Sequence, residues 1–257
     1  MIEILIAYIL RILPALAALL LFLILLPRRA QALRIVVYIA LFIVIRDAMT
    51  PSGLWRFGTE AFFWLRFTSS QPLLLMIAAG SSLAAVGMLI AEPQLRRKIE
   101  WLRRPKGPTG PAHQYLPGGL AEGLIGALLT AAPLLLLYTG TPIGLRGGAV
   151  APGLLPTLAL TALLGNFYEE LLFRGFLQDY LSTTLELGSL RAALVSGAAF
   201  AAGHSFLAVT VSSVGAPLLL FALYEGSIAG LIRMRRGLLP SVISHGGAIF
   251  LLAGGFV

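Results

Sequence analysis

Glu169 and Glu170 stand side by side in the segment Asn166-Phe167-Tyr168-Glu169-Glu170-Leu171-Leu172-Phe173-Arg174, directly after an uncharged apolar run. Ionisable side chains within such runs are costly in lipid and face a protein interior or a wet cavity, so each demands a reason. On a helix, Glu170 and Arg174 are four residues apart and share a face, where they can pair. Glu169 points about 100° away by helix geometry, which leaves it without that partner and free to act on something else. A carboxylate in a low-dielectric cavity is a better proton acceptor than one in water, and that is the description of a general base for water activation. The competing explanation is that the three charges mark the place where polar sequence resumes after a membrane span.

Two histidines add to the set. His204 lies in Phe200-Ala201-Ala202-Gly203-His204 and His245 in Ser244-His245-Gly246-Gly247, both inside apolar runs downstream of the glutamates. Imidazole can donate to an oxyanion, accept a proton or bind a metal. A single histidine in a helix bundle more commonly serves an interhelical hydrogen bond, but two following the glutamate pair point to a site. Gly203, Gly246 and Gly247 would let helices approach closely beside each ring. Glu225, in Tyr224-Glu225-Gly226, either lines a substrate path or makes an interhelical hydrogen bond. The third histidine, His113, sits in the Pro/Gly linker Gly107 to Gly119 and is read as a solvated loop residue. Two histidines and two glutamates could ligate Zn²⁺, yet no H-E-x-x-H arrangement is present, so a metal-free site needing no cofactor is expected, with Zn²⁺ as the alternative. The chain has no cysteine, which excludes disulfides, thiolate ligands and a thiol nucleophile.

The elements that must hold these residues follow from composition. Of 257 residues, 58% are hydrophobic and 12% charged, against about 25% charged in a typical soluble domain. Long Leu/Ala/Ile runs select helices over barrel strands, which would alternate polar and apolar residues. The fold class is therefore all-α: a polytopic transmembrane helical bundle of about eight spans. These run from about Ile4 to Leu26, Ile35 to Ile45, Pro72 to Ala91, Leu120 to Tyr138, Ala149 to Tyr168, Ala192 to Val209, Ala216 to Ile232 and Leu238 to Val257. The second is the weakest, and Arg34 and Arg46 at its ends are expected to snorkel outward. Basic residues concentrate in Arg28-Arg29, in Arg96 to Lys106 and in Arg233 to Arg236. With eight spans these fall on one side, the cytoplasmic one, and both termini face away from it. The run around Trp101 either lies on anionic headgroups or is a plain topology signal. The first helix is read as retained rather than cleaved. The net charge of +8 points to membrane lipid as a partner rather than nucleic acid. Residues 1–117 form N-terminal helices with a basic loop, and residues 118–257 form the core that carries the chemistry.

The pattern E-E-x-x-x-R (Glu169 to Arg174), F-x-x-x-H (Phe200 to His204) and a late histidine after a basic, Pro-containing turn (Arg235 to His245) resembles the CPBP intramembrane peptidases, which include the type II CAAX prenyl endopeptidases. The resemblance covers about Gly165 to Val257. It implies a glutamate-dependent endopeptidase acting on membrane-associated or lipidated peptide or protein substrates, with a water-filled cavity open toward the cytoplasm. It makes Glu169 the general base, Glu170 a supporting carboxylate, Arg174 its charge partner, and His204 and His245 the groups that orient water and stabilise the oxyanion. Phe200, Asn166 and Glu225 are expected at the substrate. Ile249 stands where the family often has Asn or Asp, so Asn166 or another side chain must substitute or activity is altered. Two other classes remain open: a non-catalytic immunity or assembly factor, and a proton-coupled transporter using Glu169, Glu170 and Glu225. The setting implied is a multi-pass protein of a bacterial or archaeal inner membrane.

Overall fold

The computed structural model describes residues 2–103, 116–211 and 214–257. His113 and most of the Pro/Gly linker lie outside the described residues. Among those described, the helices are α1 (Ile2–Leu25), α2 (Gln31–Asp47), α3 (Gln71–Ala91), the single turn α4 (Pro93–Arg96), α5 (Leu116–Tyr138), α6 (Leu155–Glu170), α7 (Gln178–Thr183), α8 (Ser189–Gly203), α9 (Ala216–Arg236) and α10 (Leu238–Ala253). The expected boundary at 117/118 falls in the first turn of α5. Each apolar run forms a helix, but only α1, α3, α5 and α9 are both long and apolar enough to cross a bilayer, and α8 and α10 are shorter apolar helices. A count of eight crossings therefore does not follow: the 16 residues of α10 reach about 24 Å at 1.5 Å per residue, short of the roughly 30 Å hydrocarbon thickness.

The helices sort their residues by size and by what they face. α5 exposes Leu120, Leu124, Leu128 and Leu136 and buries Gly119, Gly123, Gly126 and Ala127. Leucines meet lipid on one side, and small residues let α10 come close on the other. A Cβ at Gly123 would stand 2.8 Å from the Pro240 carbonyl, and one at Gly126 would stand 2.5 Å from Ser244 Oγ. The same device joins α10 to α6, since a Cβ at Gly246 would be 3.0 Å from the Ala162 carbonyl. Three close approaches thus fix α10, and with it His245. α8 lies along α9, and α3 and α10 lie along α6.

Between α2 and α3 the chain forms an antiparallel hairpin, β1 (Trp55–Gly58) and β2 (Trp64–Phe67), with Trp55 opposite Phe67 and Gly58 opposite Trp64. Its place fixes the two ends of the bundle. The hairpin follows the C-terminus of α2, whereas Arg28, Arg29, Arg96, Arg97 and Lys98 flank the opposite ends of α2 and α3. Arg103 joins the basic end through its backbone N–H, which donates to Arg236 O at 2.8 Å. Segment 100–103 is tied there to the α9–α10 turn: Leu238 N donates to Glu100 O at 2.9 Å and Leu239 N to Trp101 O at 3.1 Å. The turn itself needs Gly237, whose φ of +97° is strained for any residue with a Cβ. Trp101 stacks on Phe167 with ring centroids 6.3 Å apart, so one face of its ring packs against α6.

Arg34 and Arg46 do not snorkel. They are 5% and 4% exposed, because α2 packs against α1, α8 and the turn that follows α6 and meets buried acids there. Arg34 Nε donates to Glu92 Oε1 at 2.8 Å, and its Nη1 donates to Leu23 O at 2.7 Å and Leu26 O at 2.9 Å. Tyr38 Oη donates to the same Glu92 oxygen at 2.9 Å. A buried charge survives when it is paired and its remaining polar groups are bonded.

Candidate active site

α6 ends at Glu170 and continues as a π-helical turn, Leu171–Leu177. The wider winding, a feature that recurs at functional sites, follows directly on the two glutamates. Glu170 points into the packed interior and is fully buried. Arg174 Nη1 stands 2.8 Å from its Oε1, as the four-residue spacing predicts. His245 Nδ1 lies 2.9 Å from the same oxygen, and Ser241 Oγ donates to Oε2. Arg174 donates through Nη2 to the Gly226 carbonyl at 2.9 Å and lies over the Phe200 ring, 4.5 Å from its centroid. Two hydrogen-bonding side chains and an ion-paired guanidinium on one carboxylate leave little capacity for anything else.

Glu169 faces a different environment. With Asn166, His204, Glu225, His245 and Ile249, it lines a cavity of about 60 Å³. The space is large enough to admit water. His204 Nδ1 lies 2.8 Å from the Phe200 carbonyl; a carbonyl only accepts, so this nitrogen carries the proton. In the neutral ring Nε2 is then a lone pair, and it faces Glu169 Oε2 across 3.6 Å. Two acceptors this far apart do not bond directly. A molecule with two O–H donors, set to one side of the line between them, satisfies both.

The same arrangement recurs alongside. His245 spends Nδ1–H on Glu170, and its Nε2 faces Glu225 Oε1 across 3.6 Å. That carboxylate oxygen is buried and has no hydrogen-bond partner. Among the described residues, no group of three or more His, Asp or Glu side chains is placed to hold a metal ion.

Of the residues singled out from sequence, Glu169, His204, His245, Glu225 and Asn166 meet at this cavity, while Glu170 and Arg174 support it from behind. Asn166 Nδ2 donates to the Ala162 carbonyl at 2.6 Å, so half of its donor capacity stays within α6. Phe200 is not on the cavity wall. It is 1% exposed and wedged between the imidazoles, 4.3 Å from the His204 ring and 5.2 Å from that of His245. A ring enclosed on these faces spaces the histidines rather than lining the cavity.

Glu169 is not without a partner, as helix geometry alone suggested. Arg46 reaches from α2, donating through Nη2 to Glu169 Oε1 and to the Gly165 carbonyl at 3.1 Å. The hairpin was also missed, and Trp55, Phe57, Phe63, Leu65 and Phe67 form one wall of the cavity. The cavity thus extends toward the hairpin end, away from the basic loops. If the basic end is cytoplasmic, this is the reverse of the opening implied by the resemblance.

Residues 151–251 match the family model described as type II CAAX prenyl endopeptidase Rce1-like. No curated protein and no solved structure matches the chain. The matched segment runs from the turn before α6 into α10 and contains both glutamates, Arg174, His204, Glu225 and His245; α2 and the hairpin lie outside it. It carries the three motifs in order on an integral membrane bundle with four long apolar helices. Over residues 151–251 this chain is therefore similar to the Rce1-like type II CAAX prenyl endopeptidases.

Proposed function

We propose that the protein is an intramembrane endopeptidase in which Glu169 activates a water molecule for peptide hydrolysis. The observation that carries this reading is the meeting of Glu169, His204 and His245, from α6, the end of α8 and α10, on one cavity. Water in the gap between Glu169 Oε2 and His204 Nε2 is held by both acceptors with its oxygen lone pairs free. Glu169 takes one proton as the oxygen adds to the scissile carbonyl carbon. It returns that proton to the amide nitrogen as the C–N bond breaks, leaving a carboxylic acid and an amine, between which the remaining water proton then passes to give carboxylate and ammonium. His204 orients the water, His245 fixes the inner wall, and Glu170 with Arg174 holds His245 in place.

The donor arrangement supports a metal-free reaction, since Glu170 is occupied by Arg174, His245 and Ser241 and Glu169 by Arg46. Substrates are peptide segments presented at the bilayer, prenylated or otherwise lipidated tails among them, in a bacterial or archaeal inner membrane. One observation favours a second reading as a non-catalytic binding protein: the Arg46–Glu169 pair occupies the base in the resting site.

The test is hydrolysis of a panel of lipidated and unlipidated fluorogenic peptides by purified protein, with and without a chelator. Glu169→Ala and His204→Ala each abolish turnover in protein that still melts cooperatively, Glu169→Ala at a lowered temperature because buried Arg46 loses its counter-charge, and the chelator has no effect. Unchanged turnover in both variants refutes the assignment, and a wild-type protein inert across the panel favours the binding reading.

A further inference from the structure

The hydrolysis proposed above needs a hydrogen-bond donor for the carbonyl oxygen as it becomes an oxyanion, and such donors are worth most in a site closed to bulk water. The polar groups on the cavity wall are nearly all unsuited. Glu169 and Glu225 are acceptors when ionised. His204 and His245 direct Nδ1 at the Phe200 carbonyl and at Glu170, and each Nε2 faces a carboxylate across 3.6 Å, so in the neutral rings these inner nitrogens offer lone pairs and no proton. Thr161 Oγ1 lies against the carbonyls of Leu74 and Thr157 at 3.0 and 2.8 Å, and Trp55 Nε1 donates to Thr50 Oγ1. Asn166 has one N–H left beyond its bond to Ala162, and Ile249 has no donor.

Arg46 is different. Among the described residues it is the one arginine or lysine on this wall, and its charge does not depend on pH in any ordinary range. Its guanidinium is only partly satisfied: Nη2 serves Glu169 and Gly165, Nη1 has the thioether of Met49 at 3.3 Å, and Nε has no partner. The Trp55 ring lies 5.5 Å from the guanidinium carbon, a distance at which a cation and a ring attract. Arg46 also lines the adjoining apolar cleft of about 270 Å³, which is bounded by α1, α2 and α3.

We propose that Arg46, carried by α2 outside the family segment, is a catalytic residue that hydrogen-bonds the scissile carbonyl oxygen and stabilises the tetrahedral oxyanion. The inference rests on the peptidase reading. Its physical basis is charge balance. In the resting site the guanidinium is neutralised by the Glu169 carboxylate. When Glu169 takes a proton from water, that negative charge disappears and one appears on the carbonyl oxygen. Arg46 keeps a single counter-charge throughout, so the cavity's net charge does not change as the barrier is crossed. The unpartnered Nε–H and the weakly held Nη1 groups are the donors available to the new oxyanion without releasing Glu169.

The experiment measures kcat and KM for Arg46→Gln, Arg46→Ala and Glu169→Gln beside wild type on the same peptide panel, with melting temperatures and with added guanidinium ion. Arg46→Gln and Arg46→Ala lose roughly 100- to 1,000-fold in kcat with little change in KM, the range for removing one oxyanion donor. Guanidinium ion restores part of the turnover of Arg46→Ala. A loss confined to KM, a kcat near wild type, or a folded Arg46→Ala that guanidinium does not revive overturns the proposal while Glu169→Gln remains inactive. An active Glu169→Gln, or a wild type inert on every peptide, overturns the peptidase reading and this proposal with it.

Discussion

Glu169 and Glu170 are neighbours in the chain, both almost wholly buried at 4% and 0% exposure, yet they sit in opposite kinds of environment. Glu170 is saturated by Arg174, His245 and Ser241, all within the C-terminal bundle. Glu169 keeps one oxygen facing an imidazole lone pair across a gap, and its cation comes from α2, 123 residues earlier. Burial does not separate a structural carboxylate from a reactive one. The difference is whether each lone pair already has its donor, and the roughly 100° between successive helix positions is enough to decide it.

Substitution at the saturated side has the largest expected effect on folding. Glu170→Ala leaves Arg174 as an uncompensated buried charge, a change that costs about 3–5 kcal/mol. Thermal melting in detergent should show a large loss, and a Glu170→Ala protein that melts like wild type would erase the distinction between the two glutamates. A smaller effect is expected at the helix contact that aligns the two sides. Gly126→Leu forces a side chain into Ser244 and Ile232, which a bare Cβ would already meet at 2.5 and 2.2 Å. Overpacking of this kind costs about 1–3 kcal/mol, and the displacement of α10 carries His245 with it. Hydrolysis should fall further than the melting temperature suggests; equal turnover would show that His245 need not be held there.

The smallest perturbation sharpens which way the reactive side faces. The chain has no cysteine, so single cysteines report cleanly. Thr59→Cys in the hairpin loop should be labelled in intact cells by a membrane-impermeant thiol reagent. Gln94→Cys at the basic end should be labelled only after permeabilisation. The reverse pattern would place the hairpin in the cytoplasm and restore the opening that the family resemblance implies.

Much of the saturated side was legible in the sequence, because its geometry is local. A four-residue spacing puts Arg174 on Glu170, and glycines beside His245 announce a close helix contact. The pairings of Arg46 with Glu169 and of Arg34 with Glu92 were not legible. Their partners are 123 and 58 residues apart, and an arginine at the end of a short apolar run looks the same whether it snorkels or turns inward. The hairpin left a faint trace in the aromatic residues Trp55, Phe57, Trp64 and Phe67 and in Gly53 and Gly58, but four-residue strands are too short for periodicity to declare them. Phe200 was legible as part of a motif and misread as a contact surface, since a motif gives the spacing of a residue and not the faces its ring covers.

The most direct test is an experimental density map of the substrate-free protein at a resolution that shows ordered solvent. The account predicts a water within about 2.6–3.2 Å of both Glu169 Oε2 and His204 Nε2, with Arg46 on the other carboxylate oxygen. A His204 ring turned out toward lipid, or a direct bond closing that gap with no solvent beside it, would contradict it.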